Sequence, residues 1–188
     1  MNIYELLAFT ELTRQHFEVF FPINDRGIDC VILPSDFRGR PLKIQIKGSD
    51  THNSLLPGQG RGWYQFRATD LTRTTDFWLF VLQNRDDRLA PEFVIVPRDE
   101  LHCRLATYAT QSNGKYNMYL DIVLLAGEKR MIDDRDLPRA AIASATGGPR
   151  DYTEYWNRWD LLRDAARRSE FLYEGVGQEM RQEISNEA

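Results

Sequence analysis

The chain has 188 residues, 42% of them hydrophobic and 28% charged, and its 24 basic and 28 acidic side chains leave a net charge of −4 at pH 7. This balance supports a buried core, excludes a chain that is mainly disordered, and argues against indiscriminate coating of nucleic acid. No apolar run approaches the roughly 20 residues a bilayer requires. The start, MNIYELLAFTEL, does not read as a secretory signal, and the two cysteines, Cys30 and Cys103, make neither a disulfide framework nor a zinc spacing, so a reducing cytoplasm is expected.

Residues 3–16 carry a helical pattern with Ile3, Leu6, Leu7 and the Phe9–Thr10 turn on the inner side. Three β-type runs follow, Phe17–Phe21, Ile28–Leu33 and Leu42–Lys47. The last two are joined by PSDFRGRP, whose Pro, Ser, Asp and Gly are turn formers and predict a hairpin. Residues 48–62 (GSDTHNSLLPGQGRG) are polar and glycine-rich, and predict a loop. WYQFR, FWLFVLQ and EFVIVP read as strands, with a short helix in ATDLTRTT. RDELHCRLATYA reads as a helix and MYLDIVLLA as a buried strand. This order predicts an α/β fold, a central mixed β-sheet flanked by helices. A boundary near ASATGGPRD divides a main domain, 1–148, from a segment 149–174 that carries an amphipathic helix over 151–172. The helical spacing of Tyr152, Tyr155, Trp156, Trp159 and Leu162 suits packing on the sheet, and the polar tail 175–188 is expected to be disordered.

Charge is unevenly placed. Residues 26–75 hold eight basic and four acidic side chains, a positive segment within an acidic chain. It marks a face for an anion, with Arg38, Lys43 and Arg61 as candidate nucleic-acid contacts. Within it, strand alternation sends Gln45 and Lys47 one way and Ile44 and Ile46 into the core, while Asp29 sits in the neighbouring strand between Ile28 and Cys30. A carboxylate, an amide and an ammonium on a β-branched hairpin are costly unless they meet a metal or a phosphate.

Asp29…Gln45-Ile46-Lys47 resembles the signature of the PD-(D/E)XK nuclease superfamily, in its Gln-x-Lys variant, with 16 residues from Asp29 to Gln45. Glu5 in the first helix is similar to the helix glutamate of archaeal Holliday-junction resolvases. Asp25-Arg26-Gly27-Ile28-Asp29 is similar to a D-x-G-I-D segment of small bacterial members. The resemblance covers roughly residues 3–97. It implies a restriction-endonuclease-like core and a Mg²⁺-dependent DNA endonuclease, with Mn²⁺ as substitute, in a repair or defence setting. It further implies Asp29 as the principal metal ligand, Gln45 and the Ile46 carbonyl as further ligands, Lys47 acting on the attacking water or the charged phosphate, and Glu5 assisting. Glutamine in place of the acid removes one negative charge, so a catalytically weak DNA-binding or protein-interaction module is the rival. RNA is the alternative substrate, and a homodimer follows the habit of many relatives.

The other motifs carry less. His16, His52 and His102 are too far apart in sequence to suggest a metal trio, and Gly58–Gly62 is too short for a phosphate-binding fingerprint. Asp25 reads as a turn residue, and Asp133–Asp136 as a solvated turn before Leu137-Pro138.

Overall fold

Asn2 starts the first helix with a capping box: its side chain accepts from the Glu5 N–H, and the Glu5 carboxylate accepts from the Asn2 N–H. This is seen in a computed structural model that describes residues 1–23, 27–51, 60–71, 75–84, 90–108 and 113–168. Helix α1 (Ile3–Arg14) buries Ala8, Phe9 and Leu12, whereas Ile3 and Leu6, expected on its inner side, are exposed. The cause lies on the strand below. A Cβ built on Gly48 would come within 1.9 Å of the Tyr4 ring, so only glycine lets that ring sit against the sheet. Tyr4, Ala8 and Leu12, four residues apart, then face inward and turn Ile3 and Leu6 outward.

The remaining elements are β1 (Phe17–Phe20), β2 (Cys30–Pro34), β3 (Leu42–Asp50), β4 (Gly60–Arg67), α2 (Ala68–Leu71), β5 (Phe77–Gln83), β6 (Glu92–Pro97), α3 (Arg98–Tyr108), β7 (Lys115–Leu125), β8 (Glu128–Asp133) and α4 (Asp160–Arg167). The first sheet runs β1-β2-β3-β5-β6. β2 and β3 form the expected antiparallel hairpin, while β3 and β5 run parallel from Ile44↔Phe77 to Asp50↔Gln83, which makes the sheet mixed. The unbroken apolar run of β5 serves both faces. Phe77, Leu79 and Val81 join Ile44, Ile46, α1 and α4 in one core. Trp78, Phe80 and Leu82 join Tyr64, Phe66, Met118 and Leu120 in another.

That second core lies under a three-stranded antiparallel sheet, β4-β7-β8, in which WYQFR and MYLDIVLLA are the expected strands and β8 is an unexpected third. The loop expected over 48–62 is strand at both ends: β3 continues to Asp50 and β4 begins at Gly60, with 52–59 outside the described residues. Two of the glycines that suggested a loop allow close approach. A Cβ on Gly60 would meet Thr51 at 2.7 Å, and one on Gly62 would meet the Tyr64 hydroxyl at 2.8 Å. Asp133 and Asp134, expected in a solvated turn, are buried. Asp133 Oδ1 accepts the Tyr119 N–H at 2.9 Å, and Asp134 pairs with Arg61 of β4. The Asp133 carboxylate thus takes a strand N–H where β8 ends.

The helix expected over 151–172 is also corrected. Thr153–Tyr155 is a 3₁₀ turn, and α4 covers only Asp160–Arg167, with 169–188 outside the described residues. Asn157, at φ 53°, accounts for the break: its N–H donates to the Phe93 carbonyl at 2.7 Å and its Oδ1 accepts the Phe93 N–H at 3.1 Å. Pairing with β6 thus takes the backbone groups a continuous helix would need. The aromatic residues still pack on the sheets, Tyr152 in the second core and Trp159 in the first.

The seam between β4, β7 and β8 is acidic. Burial, and then the neighbouring Asp134, push the Asp121 carboxyl up to about 6, against the pull of Arg61 at 3.9 Å. Asp134 is raised too, by burial, although Arg61 opposes it. A carboxyl whose folded value lies above its ordinary 3.8 stabilises fully below that value, and the contribution is lost as pH rises through about 6. Asp121→Asn keeps the neutral form at every pH. After allowance for solvent screening, it should gain on the order of 1 kcal/mol over the native chain at pH 8, shrinking towards pH 4. Denaturant unfolding at the two pH values checks this, and an equal difference at both would contradict it.

Candidate active site

β2 stops pairing with β3 at Cys30↔Ile44, and the site forms where it departs. Asp29 lies just before the strand, and its N–H still donates to the Ile44 carbonyl at 2.9 Å. The next group on that edge of β3, the Ile46 N–H, donates to Asp29 Oδ2 at 2.5 Å, and Gln45 Nε2 donates to the same oxygen at 3.0 Å. Because N–H and C=O of one strand residue leave on the same edge, the Ile46 carbonyl faces this gap as well. Gln45 is only 5% exposed, and its Oε1 is buried with no hydrogen-bond donor among the described residues. An orphaned buried oxygen costs about 1–3 kcal/mol unless a water or an ion completes it.

Lys47 follows on the same face and is half-buried. No described carboxylate lies within ion-pair distance of its ammonium. Glu5 of α1 reaches the same cleft, about 450 Å³ in volume, so the structure brings together Glu5, Asp29, Gln45, Ile46 and Lys47. The Glu5 carboxylate is nonetheless tied to the helix cap, accepting the Asn2 N–H at 2.9 Å and Asn2 Nδ2 at 2.7 Å. The charges of Asp29 and Glu5 register at Cys30 behind them. Burial first, then Asp29 and Glu5, push its thiol up to about 12, so it stays protonated and inert at neutral pH.

Among the described residues no group of three or more His, Cys, Asp or Glu side chains converges as a metal cage. The residues lining the cleft instead carry carboxylate, amide and carbonyl oxygen, and the Gln45 Oε1 is buried and orphaned beside it. An all-oxygen set with few protein ligands fits Mg²⁺, which keeps several of its waters.

The expected nucleic-acid contacts lie elsewhere. Lys43 shares the alternation of Gln45 and Lys47 but stands two residues before Gln45 on β3, and Arg38 lies in the β2–β3 turn, where its N–H donates to Asp36 at 3.1 Å. Neither lines the cleft. Arg61 is a strand residue held by Asp134 and lying 5.9 Å over the Tyr119 ring, so its charge is largely answered within the protein. Asp25 and His52 fall outside the described residues, as does most of the glycine loop. Sequence reasoning missed Tyr4 and Gly48, which also line the cleft. The one available signal was a glycine directly after Lys47 inside a strand pattern.

No protein-family model matches the chain, and no curated protein matches it. Among solved structures, it is similar to a bacterial homing endonuclease, I-Ssp6803I, with a TM-score of 0.52 and 18% identity over 90% of this chain and 93% of that one. The chain has the restriction-endonuclease-like fold. A second match, a Holliday junction resolvase from the archaeal hyperthermophile Archaeoglobus fulgidus, has a TM-score of 0.37 and 10% identity over 61% of this chain and 80% of that one. The fold that the resemblance of Asp29…Gln45-Ile46-Lys47 implied is borne out by the likeness to I-Ssp6803I.

The Gln45 amide makes the cation dependence of this cleft testable without turnover. Gln45→Glu removes the donor to Asp29 and sets two carboxylates against each other. In EDTA the variant should lose about 1–3 kcal/mol of stability, and millimolar Mg²⁺ should restore it. Thermal unfolding with and without the ion is the check, and a variant indifferent to Mg²⁺ would remove Gln45 from the cation site.

Proposed function

We propose that this protein is a metal-dependent DNA endonuclease that hydrolyses phosphodiester bonds at the open edge of β3. The observation that carries the reading is the orphaned Gln45 Oε1 beside Asp29, in the cleft onto which Lys47 opens. Asp29, Gln45 Oε1 and the Ile46 carbonyl would hold Mg²⁺, or Mn²⁺ in its place. When bound, such a cation stabilises charge on a phosphate and lowers the pKa of a bound water.

The remaining work falls to the chain itself. The Ile46 N–H and Gln45 Nε2 fix the Asp29 carboxylate, so its position is set before any substrate arrives. Lys47 places a cation against the charge that develops on the phosphate, or orients the attacking water. Glu5 assists from the cleft wall, with its carboxylate held by the cap. DNA as the substrate rests on the fold shared with a homing endonuclease. A homodimer acting in the cytoplasm fits the reading, since Ile3, Leu6, Phe20 and Phe21 are exposed apolar residues on α1 and at the sheet-edge β1 end. The second reading, a binding module without turnover, draws on the missing charge at Gln45.

Plasmid nicking in Mg²⁺ or Mn²⁺ separates the two. The wild type should cut, Asp29→Ala should abolish cutting, and Lys47→Ala should lower the rate by at least ~10²-fold while duplex binding in Ca²⁺ changes far less. Cutting by a folded Asp29→Ala protein would end the assignment, and a wild type inert with every divalent cation would favour the binding module.

A further inference from the structure

We propose that the outward face of the second sheet, the ladder Trp63–Tyr119, Gln65–Asn117 and Arg67–Lys115, reads base edges in the major groove of duplex DNA; this rests on the endonuclease reading above. The three rungs are direct cross-strand partners of β4 and β7. Between them, Tyr64 and Phe66 point into the core, so Trp63, Gln65 and Arg67 stand outward. None of the three is needed to fill the interior.

The side chains on this face are held in place. The Trp63 ring stacks on Tyr119 with centroids 6.4 Å apart, although half of Trp63 is exposed to water. Gln65 Nε2 donates to Asn117 Oδ1 at 3.0 Å, Trp63 Nε1 donates to the same oxygen at 3.2 Å, and Lys115 Nζ donates to Gln65 Oε1 at 3.0 Å. Both amide oxygens are therefore used within the ladder. The donors this face carries include the Asn117 amide nitrogen, the Lys115 ammonium and the Arg67 guanidinium.

Such a face is expensive in isolation. Arg67 and Lys115 are like charges directly opposite each other, an arrangement that destabilises a strand pair. The contrast with the other end of β4 is informative, because Arg61 is answered there by Asp134 and Asp121. An anionic partner rich in acceptors relieves the repulsion and occupies the donors. The major groove presents such acceptors as guanine N7 and O6, adenine N7 and thymine O4, and it admits a two-stranded β-ribbon. Ordered amides lose little freedom on binding.

The face also lies where a nuclease would need it. The Trp63 N–H donates to Ser49 Oγ at 2.9 Å, and Ser49 is two residues past Lys47 on the same alternation of β3. At about 3.3 Å per residue the ladder begins roughly 7 Å along the strand from Lys47 and extends roughly 13 Å. That length corresponds to about four base pairs at a rise of 3.4 Å.

Selection from a randomised duplex library in Ca²⁺, by the full chain, tests the proposal. The wild type should enrich a short motif containing guanine. Lys115→Ala and Arg67→Ala should each weaken binding of that motif by about tenfold or more and reduce the salt slope by about one. The double variant Gln65→Ala/Asn117→Ala should lose preference at adjoining positions of the motif. An unchanged motif and affinity in these variants would overturn the proposal, as would a wild type that enriches nothing or binds single strands in preference to duplex. Wild-type nicking of plasmid in Mg²⁺ reports on the endonuclease reading separately, so either can fail while the other stands.

Discussion

The hydrogen bond from the Ile46 N–H to the Asp29 carboxylate occupies the place of a rung in the β2–β3 ladder. A sheet edge in the middle of a domain leaves buried donors and acceptors that must be satisfied. Here a carboxylate takes the donor, and the gap that opens leaves the Ile46 carbonyl without its ladder neighbour beside the cleft that Gln45 lines. The candidate site follows from one strand leaving its neighbour two residues early.

Everything around that fork serves to hold β3 still. On one side α1 lies directly on the strand through Tyr4 and Gly48, and Tyr4 Oη donates to Asp50 at 3.1 Å. On the other side β5 runs parallel to β3, its side chains divided between two cores. The second sheet is tied to the same strand through Ser49 and Trp63. Arg104 of α3 locks the far edge, donating to the Asp151 carbonyl at 2.6 Å and lying 4.9 Å over the Tyr155 ring. A polar site on a strand clamped from both faces is positioned more precisely than one on a mobile loop.

The candidate site was legible in the sequence because its logic is local. Alternation along Leu42–Lys47 and the turn chemistry of PSDFRGRP suffice to put Asp29, Gln45 and Lys47 close together. The inner face of α1 was not legible, since it depends on the long-range contact between Tyr4 and a glycine 44 residues later. β8 was hidden because Glu128, Lys129 and Arg130 cover its exposed end and Asp133 sits in its buried one. The aromatic periodicity after residue 150 was real as a packing signal but misleading as a helix signal. Asn157 spends its backbone and side chain on Phe93, and pairing with β6 overrides the helical spacing.

The divalent cation proposed at the β2–β3 fork is reported most directly by paramagnetic broadening by Mn²⁺ in amide-labelled protein. At substoichiometric Mn²⁺, the backbone amides of Asp29 and Ile46 and the side-chain amide of Gln45 should broaden first, ahead of those beside exposed acids such as Asp99 and Glu128. Broadening that begins at those surface acids and leaves the fork sharp would contradict the account.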